Sequence, residues 1–228
     1  IYKCNNNFKV YLTAPKTTKG LLAVIYKFFF VCFFGHISIG MFSHMFVNGV
    51  WATNKTFHLK KYCYNIQKKD KGIIKSNKGG YQSNNLNLKD RELQPFISYI
   101  THQTNTYANK IFSMKTKFKI TNMWVNINQR GNSNHTHMHP FSSFSGVYYI
   151  QRPENSGNIT FVNPQCDLMN SFFANVEFEK FDVNNCEEYW YKGEEGDCIL
   201  FPSYYKHYVT DSYSDKDRIS LSFNLVKE

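Results

Sequence analysis

FKITNMWVNINQRGNSNHTHMHPFSSFSGVYYIQRPENSGNITFVN, residues 118–163, alternates short β-rich runs with clusters of turn residues. KITNMWVNI (119–127), SGVYYIQ (145–151) and NITFVN (158–163) carry the branched and aromatic side chains that suit a pleated, half-buried surface. QRGNSN and RPENSGN, between them, hold the Gly, Pro, Asn and Ser that reverse a chain. The rhythm continues through DCILFP (197–202), KHYVT (206–210) and RISLSFNLV (218–226), punctuated by KGEEGD and TDSYSDKD. Strands this short, interrupted this regularly, predict a mainly β, antiparallel double-sheet domain over 118–228: a sandwich, barrel or jelly roll.

Working upstream, the period changes. Leu93, Phe96, Ile97, Ile100, Tyr107 and Ile111 recur at three- and four-residue steps, which predicts a helix from about Lys89 to Phe112 with one apolar face for the sheet. Asn87 or Asp90 is placed to cap its start. Residues 46–117 therefore read as a helical, Lys/Asn-rich support region, with Gly79–Gly80 marking a turn or a close backbone approach. Residues 1–45 read as a hydrophobic and basic leader. Its run LLAVIYKFFFVCFFGHISIGM (21–41) approaches the ~20 apolar residues that span a bilayer. Lys27 and His36 interrupt that run. A membrane anchor or an organelle-targeting segment is the favoured expectation, with cytoplasmic residence the alternative.

With 42% hydrophobic and 18% aromatic residues in 228, the chain can bury a sizeable core, which excludes wholesale disorder. The net charge of +10 is unevenly spread: residues 1–117 hold 18 Lys/Arg against 3 Asp/Glu, and residues 118–228 hold 9 against 14. The β-rich half is thus mildly acidic, which argues against nucleic acid as its partner. The six cysteines stand far apart with no CxxC pair, which suits free, buried thiols in a reducing compartment.

Eight histidines are present, three of them within HTHMHP (135–140). Residues two apart on a strand share a face, so His135, His137 and His139 can line one surface, and imidazole is the commonest protein metal ligand. Downstream, His207 sits in a β-run after a Pro turn, and Arg218 and Ser220 share a strand face. A guanidinium fork with an adjacent hydroxyl suits a carboxylate. Two near histidines, a distant one and then Arg-x-Ser read as a metal plus a dicarboxylate.

This order resembles the iron(II)- and 2-oxoglutarate-dependent oxygenases, which are built on a double-stranded β-helix. It is most similar to a small subfamily found in bacteria and phages. KSNKGGYQS (75–83), MWVNI (123–127), NHTHMHP (134–140) and SFSGVYYI (143–150) carry the resemblance. SGNITFVNP (156–164), GDCILFPSYYKHYV (196–209) and RISLSFN (218–224) continue it, over roughly residues 50–226. The resemblance implies His137 and His207 as iron ligands, and Arg218 with Ser220 as the grip on the distal carboxylate of 2-oxoglutarate. Most of that superfamily places Asp or Glu two residues after the first histidine, where this chain has His139. Either His139 completes a three-histidine face or the site departs from the superfamily rule. His135 with His137 is the less favoured register, because His139–Pro140 matches the subfamily spacing. Asp197, after Gly196, reads as a hairpin residue rather than a ligand.

The implied reaction consumes O₂ and 2-oxoglutarate, releases succinate and CO₂, and hydroxylates a substrate that the sequence does not name. Trp124, Tyr148, Tyr149, Phe161 and Phe201 are candidates for keeping the pocket dry, and Asn126, alternating with Trp124, for facing it. Residues 165–195 read as part strand, part loop near the site mouth. Three rivals stand beside this reading. One is a cupin-like three-histidine dioxygenase without 2-oxoglutarate, and another a non-catalytic jelly-roll binding module. The third is a membrane-tethered protein whose basic residues 55–89 bind anionic lipid or nucleic acid.

Overall fold

The computed structural model describes residues 3–4, 45–48, 53–181 and 185–228. The apolar run 21–41 lies outside the described residues. Among those described, no helix is long and apolar enough to cross a membrane.

Two short strands, β1 (Lys3–Cys4) and β2 (Met45–Asn48), precede helix α1 (Thr53–Lys69). Strands β3 (Asn77–Lys78) and β4 (Tyr81–Gln82) lead into helix α2 (Gln94–Phe112). Then come β5 (Phe118–Asn128), β6 (Ser133–His137), β7 (Phe144–Gln151) and β8 (Ile159–Val162). Helix α3 (Cys166–Phe173), β9 (Glu188–Tyr191), β10 (Asp197–Pro202), β11 (His207–Val209) and β12 (Arg218–Lys227) complete the chain. The strands form two six-stranded sheets, β1-β9-β8-β11-β6-β3 and β2-β10-β7-β12-β5-β4. This is the mainly β double-sheet architecture of the jelly roll, with helices packed on it.

The second sheet is built from sequences that alternate faithfully. On β12, Ile219, Leu221, Phe223 and Leu225 face the helices, while Arg218, Ser220, Ser222 and Asn224 line a cavity on the other face. Its neighbour β5 shows the same split, with Met123, Val125 and Ile127 toward the helices and Asn122, Trp124, Asn126 and Asn128 toward the cavity. Phe118 and Ile120 also join the helix-side core, although strict alternation from Met123 would send them to the other face. The register explains this: Asn122 pairs with Asn224 but Ile120 with Leu225, which leaves Thr121 as an extra, bulged residue.

Helix α2 buries Phe96, Ile100, Thr104, Tyr107 and Ala108. Phe96 packs 5.0 Å from the Tyr148 ring and 6.1 Å from Phe223, centroid to centroid. The helix starts five residues later than the sequence suggests, with Leu93 at its N-cap and no side-chain cap. Asp90 and Asn87 instead fold the preceding turn, where Oδ1 of each accepts the backbone N–H two residues on. Ile111 is exposed, while Phe112 turns back onto Tyr107 and Phe144. Within residues 165–195 the sequence reading missed a helix: α3 is a short amphipathic helix with no buried residue. Eight residues make barely two turns, too short a run for a helical period to stand out from a strand or loop.

Between the sheets, Val147, Tyr149, Ile159, Phe161, Ile199, Phe201 and Tyr205 make a second apolar cluster. Cys63, Cys186 and Cys198 are buried thiols, and Cys166 is half-buried.

Candidate metal and dicarboxylate site

Strand β11 holds the centre of the site. His207 pairs with His137 of β6 on one side and with Phe161 of β8 on the other. The β6 strand ends at His137, so His139 does not reach the site by strand alternation. The chain leaves the sheet there, and the His139 N–H donates to the Ser203 carbonyl in the turn before β11, which swings the ring back over His207. Possible ligand atoms of His137, His139 and His207 lie within 4.8 Å of one another, and no other such group of three occurs among the described residues. His135 is exposed and stands outside the cluster.

Two of the three rings have fixed roles. His137 Nδ1 lies 2.7 Å from the His135 carbonyl, and His207 Nδ1 lies 2.9 Å from the Tyr205 carbonyl. Since a carbonyl only accepts, each Nδ1 carries the proton and each Nε2 offers a lone pair to the cavity. The His139 and His207 Nε2 atoms stand 3.3 Å apart. Two imidazoles at right angles on one first-row metal, each at about 2.1 Å, would stand about 3.0 Å apart. The residues present therefore fit a metal ion held on one face.

The surroundings keep these imidazoles neutral. Burial lowers the pKa of all three; repulsion from neighbouring rings adds to it at His139 and His207, and His139 falls to about 4, with Lys75 contributing. Trp124 lies 5.8 Å from His139, and Phe201 4.8 Å from His207, so aromatic walls stand where water would solvate an imidazolium.

From the histidines a cavity of about 350 Å³ runs between the sheets to Arg218. Arg218 is 3% exposed, and its Nη1 donates to the Ser156 carbonyl at 2.6 Å. Gly157 lets the loop come this close, because a Cβ there would lie 2.9 Å from Nη1. The only ion pairs among the described residues are Arg130–Asp215 and Lys192–Glu154, so Arg218 has no carboxylate partner. Burial lowers its pKa to about 10, and the group stays charged at neutral pH. A buried cation without an anion is costly and awaits an acid from outside. Ser220, also buried, lines the same cavity, and no Asp or Glu does. A dicarboxylate fits this end.

Asp197 is not near the cluster. It accepts hydrogen bonds from Tyr191 Oη at 3.0 Å and from the Glu194 N–H at 2.7 Å, which is the work of a hairpin turn. Of the five candidate aromatics, Trp124, Tyr149 and Phe201 line the cavity and Phe161 backs His207, whereas Tyr148 points away onto Phe96. Asn126 does face the cavity and donates to Ser222 Oγ at 2.9 Å. Lys75, Gln82 and Asn128 also line it; none was singled out from sequence, because polar residues in loops and strands give no directional signal by themselves.

A double-stranded β-helix that gathers imidazoles at one end of its cavity and an unpaired guanidinium at the other is the framework of a mononuclear iron oxygenase using a 2-oxo diacid. Residues 122–224 match the model of the family described as "Putative 2OG-Fe(II) oxygenase". No curated relative matches the sequence. Among solved structures, a Pseudomonas putida prolyl-4-hydroxylase is similar at 10% identity and TM-score 0.60, over 85% of this chain and 96% of that one. A 2OG-Fe(II) oxygenase family oxidoreductase from Burkholderia pseudomallei is similar at 9% identity and TM-score 0.54, over 94% and 93%. The epimerase SnoN of nogalamycin biosynthesis, in complex with Fe³⁺ and alpha-ketoglutarate, is similar at 10% identity and TM-score 0.60, over 82% and 79%. These likenesses establish the fold. The family match makes the chain an oxidoreductase with iron(II) and 2-oxoglutarate as cofactors.

Proposed function

We propose that His137, His139 and His207 hold the iron(II), and that Arg218 and Ser220 hold the distal carboxylate of 2-oxoglutarate, in a hydroxylase-type dioxygenase. The observation that carries this reading is the buried Arg218: it lacks a carboxylate and shares one acid-free cavity with three convergent imidazoles. When bound, the metal supplies O₂ activation coupled to decarboxylation of the 2-oxo acid. The chain's own contribution is positional. His135 and Tyr205 carbonyls fix the tautomers, the Ser156 carbonyl aims the guanidinium, and Trp124 and Phe201 keep water from the imidazoles.

The test is an anaerobic titration of the protein with iron(II) and then 2-oxoglutarate, followed by visible absorption. A weak charge-transfer band that needs both additions, and that His137→Ala and Arg218→Ala each abolish, is the expected result. Metal binding without such a band in the wild type would instead favour the three-histidine dioxygenase that does without 2-oxoglutarate. For the apolar run 21–41 we propose membrane or organelle targeting. Residues 1–45 fused to a fluorescent protein should move it to a membrane or organelle, and a diffuse signal would refute this.

A further inference from the structure

We propose that Asn128 is an additional recognition group for the distal carboxylate of 2-oxoglutarate, its amide N–H donating beside the Arg218 guanidinium; this rests on the assignment of Arg218 above. Asn128 is directly opposite Arg218 in the β5–β12 register, and directly opposed residues share a face. Both line the cavity. Gly157 abuts both Arg218 and the Thr210 carbonyl, so this end of the cavity lies three residues along the chain from His207.

Asn128 is 2% exposed, and its side-chain amide has no hydrogen-bond partner among the described residues. An amide that lines a cavity without a protein partner keeps its donor for whatever occupies that cavity. Other buried amides are satisfied: Asn126 by Ser222, Asn163 by the Cys186 carbonyl, and Asn224 by Ser145. Gln82 is the second exception, but it pairs across from Asn126, one step nearer the histidines on the cavity wall. Only Asn128 stands against the cation.

A carboxylate has about four lone-pair directions, more than one guanidinium edge and the Ser220 hydroxyl fill. An amide supplies a further donor without burying a second positive charge beside Arg218. The backbone behind Asn128 is shaped to hold it. Gly80 has φ +69°, and a Cβ there would lie 2.8 Å from Asn128 Nδ2. Only glycine lets the chain cross from β3 to β4 while pressed against this amide, which gives Gly80 its physical role; Gly79 is pressed against Asn132 instead.

The experiment uses the full chain loaded with iron(II), without oxygen, titrated with 2-oxoglutarate and separately with 2-oxopentanoate. The second acid keeps the chelating end and lacks the distal carboxylate. Asn128→Ala should weaken 2-oxoglutarate roughly 10- to 100-fold, the usual worth of a hydrogen bond to a charged group. Asn128→Asp, of the same size, should weaken it further by pairing with Arg218. Both variants should bind iron(II) and 2-oxopentanoate as the wild type does. Binding of 2-oxoglutarate within twofold of wild type in Asn128→Ala would overturn the proposal, as would equal weakening of both acids. Should that variant fail to fold, the Asp variant decides by the same two criteria. A normal Arg218→Ala titration would instead overturn the assignment of Arg218, which separates the two failures.

Discussion

His139 stands where the superfamily most often carries a carboxylate. Three neutral imidazoles leave the iron(II) site more positive than two imidazoles and one carboxylate would. His139→Ala should therefore lose iron(II) affinity by about 100-fold or more, while His139→Asp loses less, both read by anaerobic metal titration. The lowered pKa values make a second prediction. An ordinary histidine is half protonated near 6.5, and His139 only near 4, so the folded protein takes up fewer protons than the unfolded chain between those values. The stabilising effect of keeping His139 neutral is complete above about 6.5 and is lost as pH falls toward 4. The metal-free protein should thus melt at progressively lower temperature from pH 7 to pH 4.5. His139→Gln should flatten that slope by roughly 1 kcal/mol per pH unit. An unchanged slope would mean that the ring is solvated.

At the scale of the element, the bulge at Thr121 decides which residues of β5 meet the helices. Deleting Thr121 removes the extra residue and leaves Phe118, Ile120, Met123, Val125 and Ile127 on one face of a regular strand. The deletion should therefore keep a single cooperative unfolding transition, measured by calorimetry, and Thr121→Ala should cost under about 1 kcal/mol. Helix α2 contributes by burial rather than capping. Phe96→Ala removes a ring packed against Tyr148 and Phe223 and should cost about 3–5 kcal/mol in denaturant unfolding, without changing iron affinity in the protein that remains folded.

At the scale of the whole molecule, the proposed ligand set links cofactor binding to stability, because the histidines and Arg218 come from three separate strands and the turn after β6. Iron(II) and 2-oxoglutarate at 100 times their dissociation constants should each add about 2.7 kcal/mol, seen as a rise in Tm. Arg218→Ala should keep the rise from iron and lose that from 2-oxoglutarate.

The strand runs, the helix after residue 89 and the outward and inward faces of β12 were legible because each rests on a local period, and side-chain chemistry was enough to make His137, His207, Arg218 and Ser220 candidates. Periodicity survives in the sequence wherever one face is wet or polar and the other is dry. The reason for His139 was not legible. Strand alternation would put His139 beside His137, yet the strand ends at His137, and a turn hydrogen-bonded to Ser203 brings the third ring into the cluster. The β-bulge, the helix within 165–195 and the solitude of Arg218 and Asn128 were equally hidden. A missing partner is a property of everything that surrounds a group in space, and the chain order carries no record of it. By itself, the sequence determined which side chains can bind a metal and a diacid. The tertiary structure decided that they meet in one acid-free cavity, because only packing brings β6, β11 and β12 together.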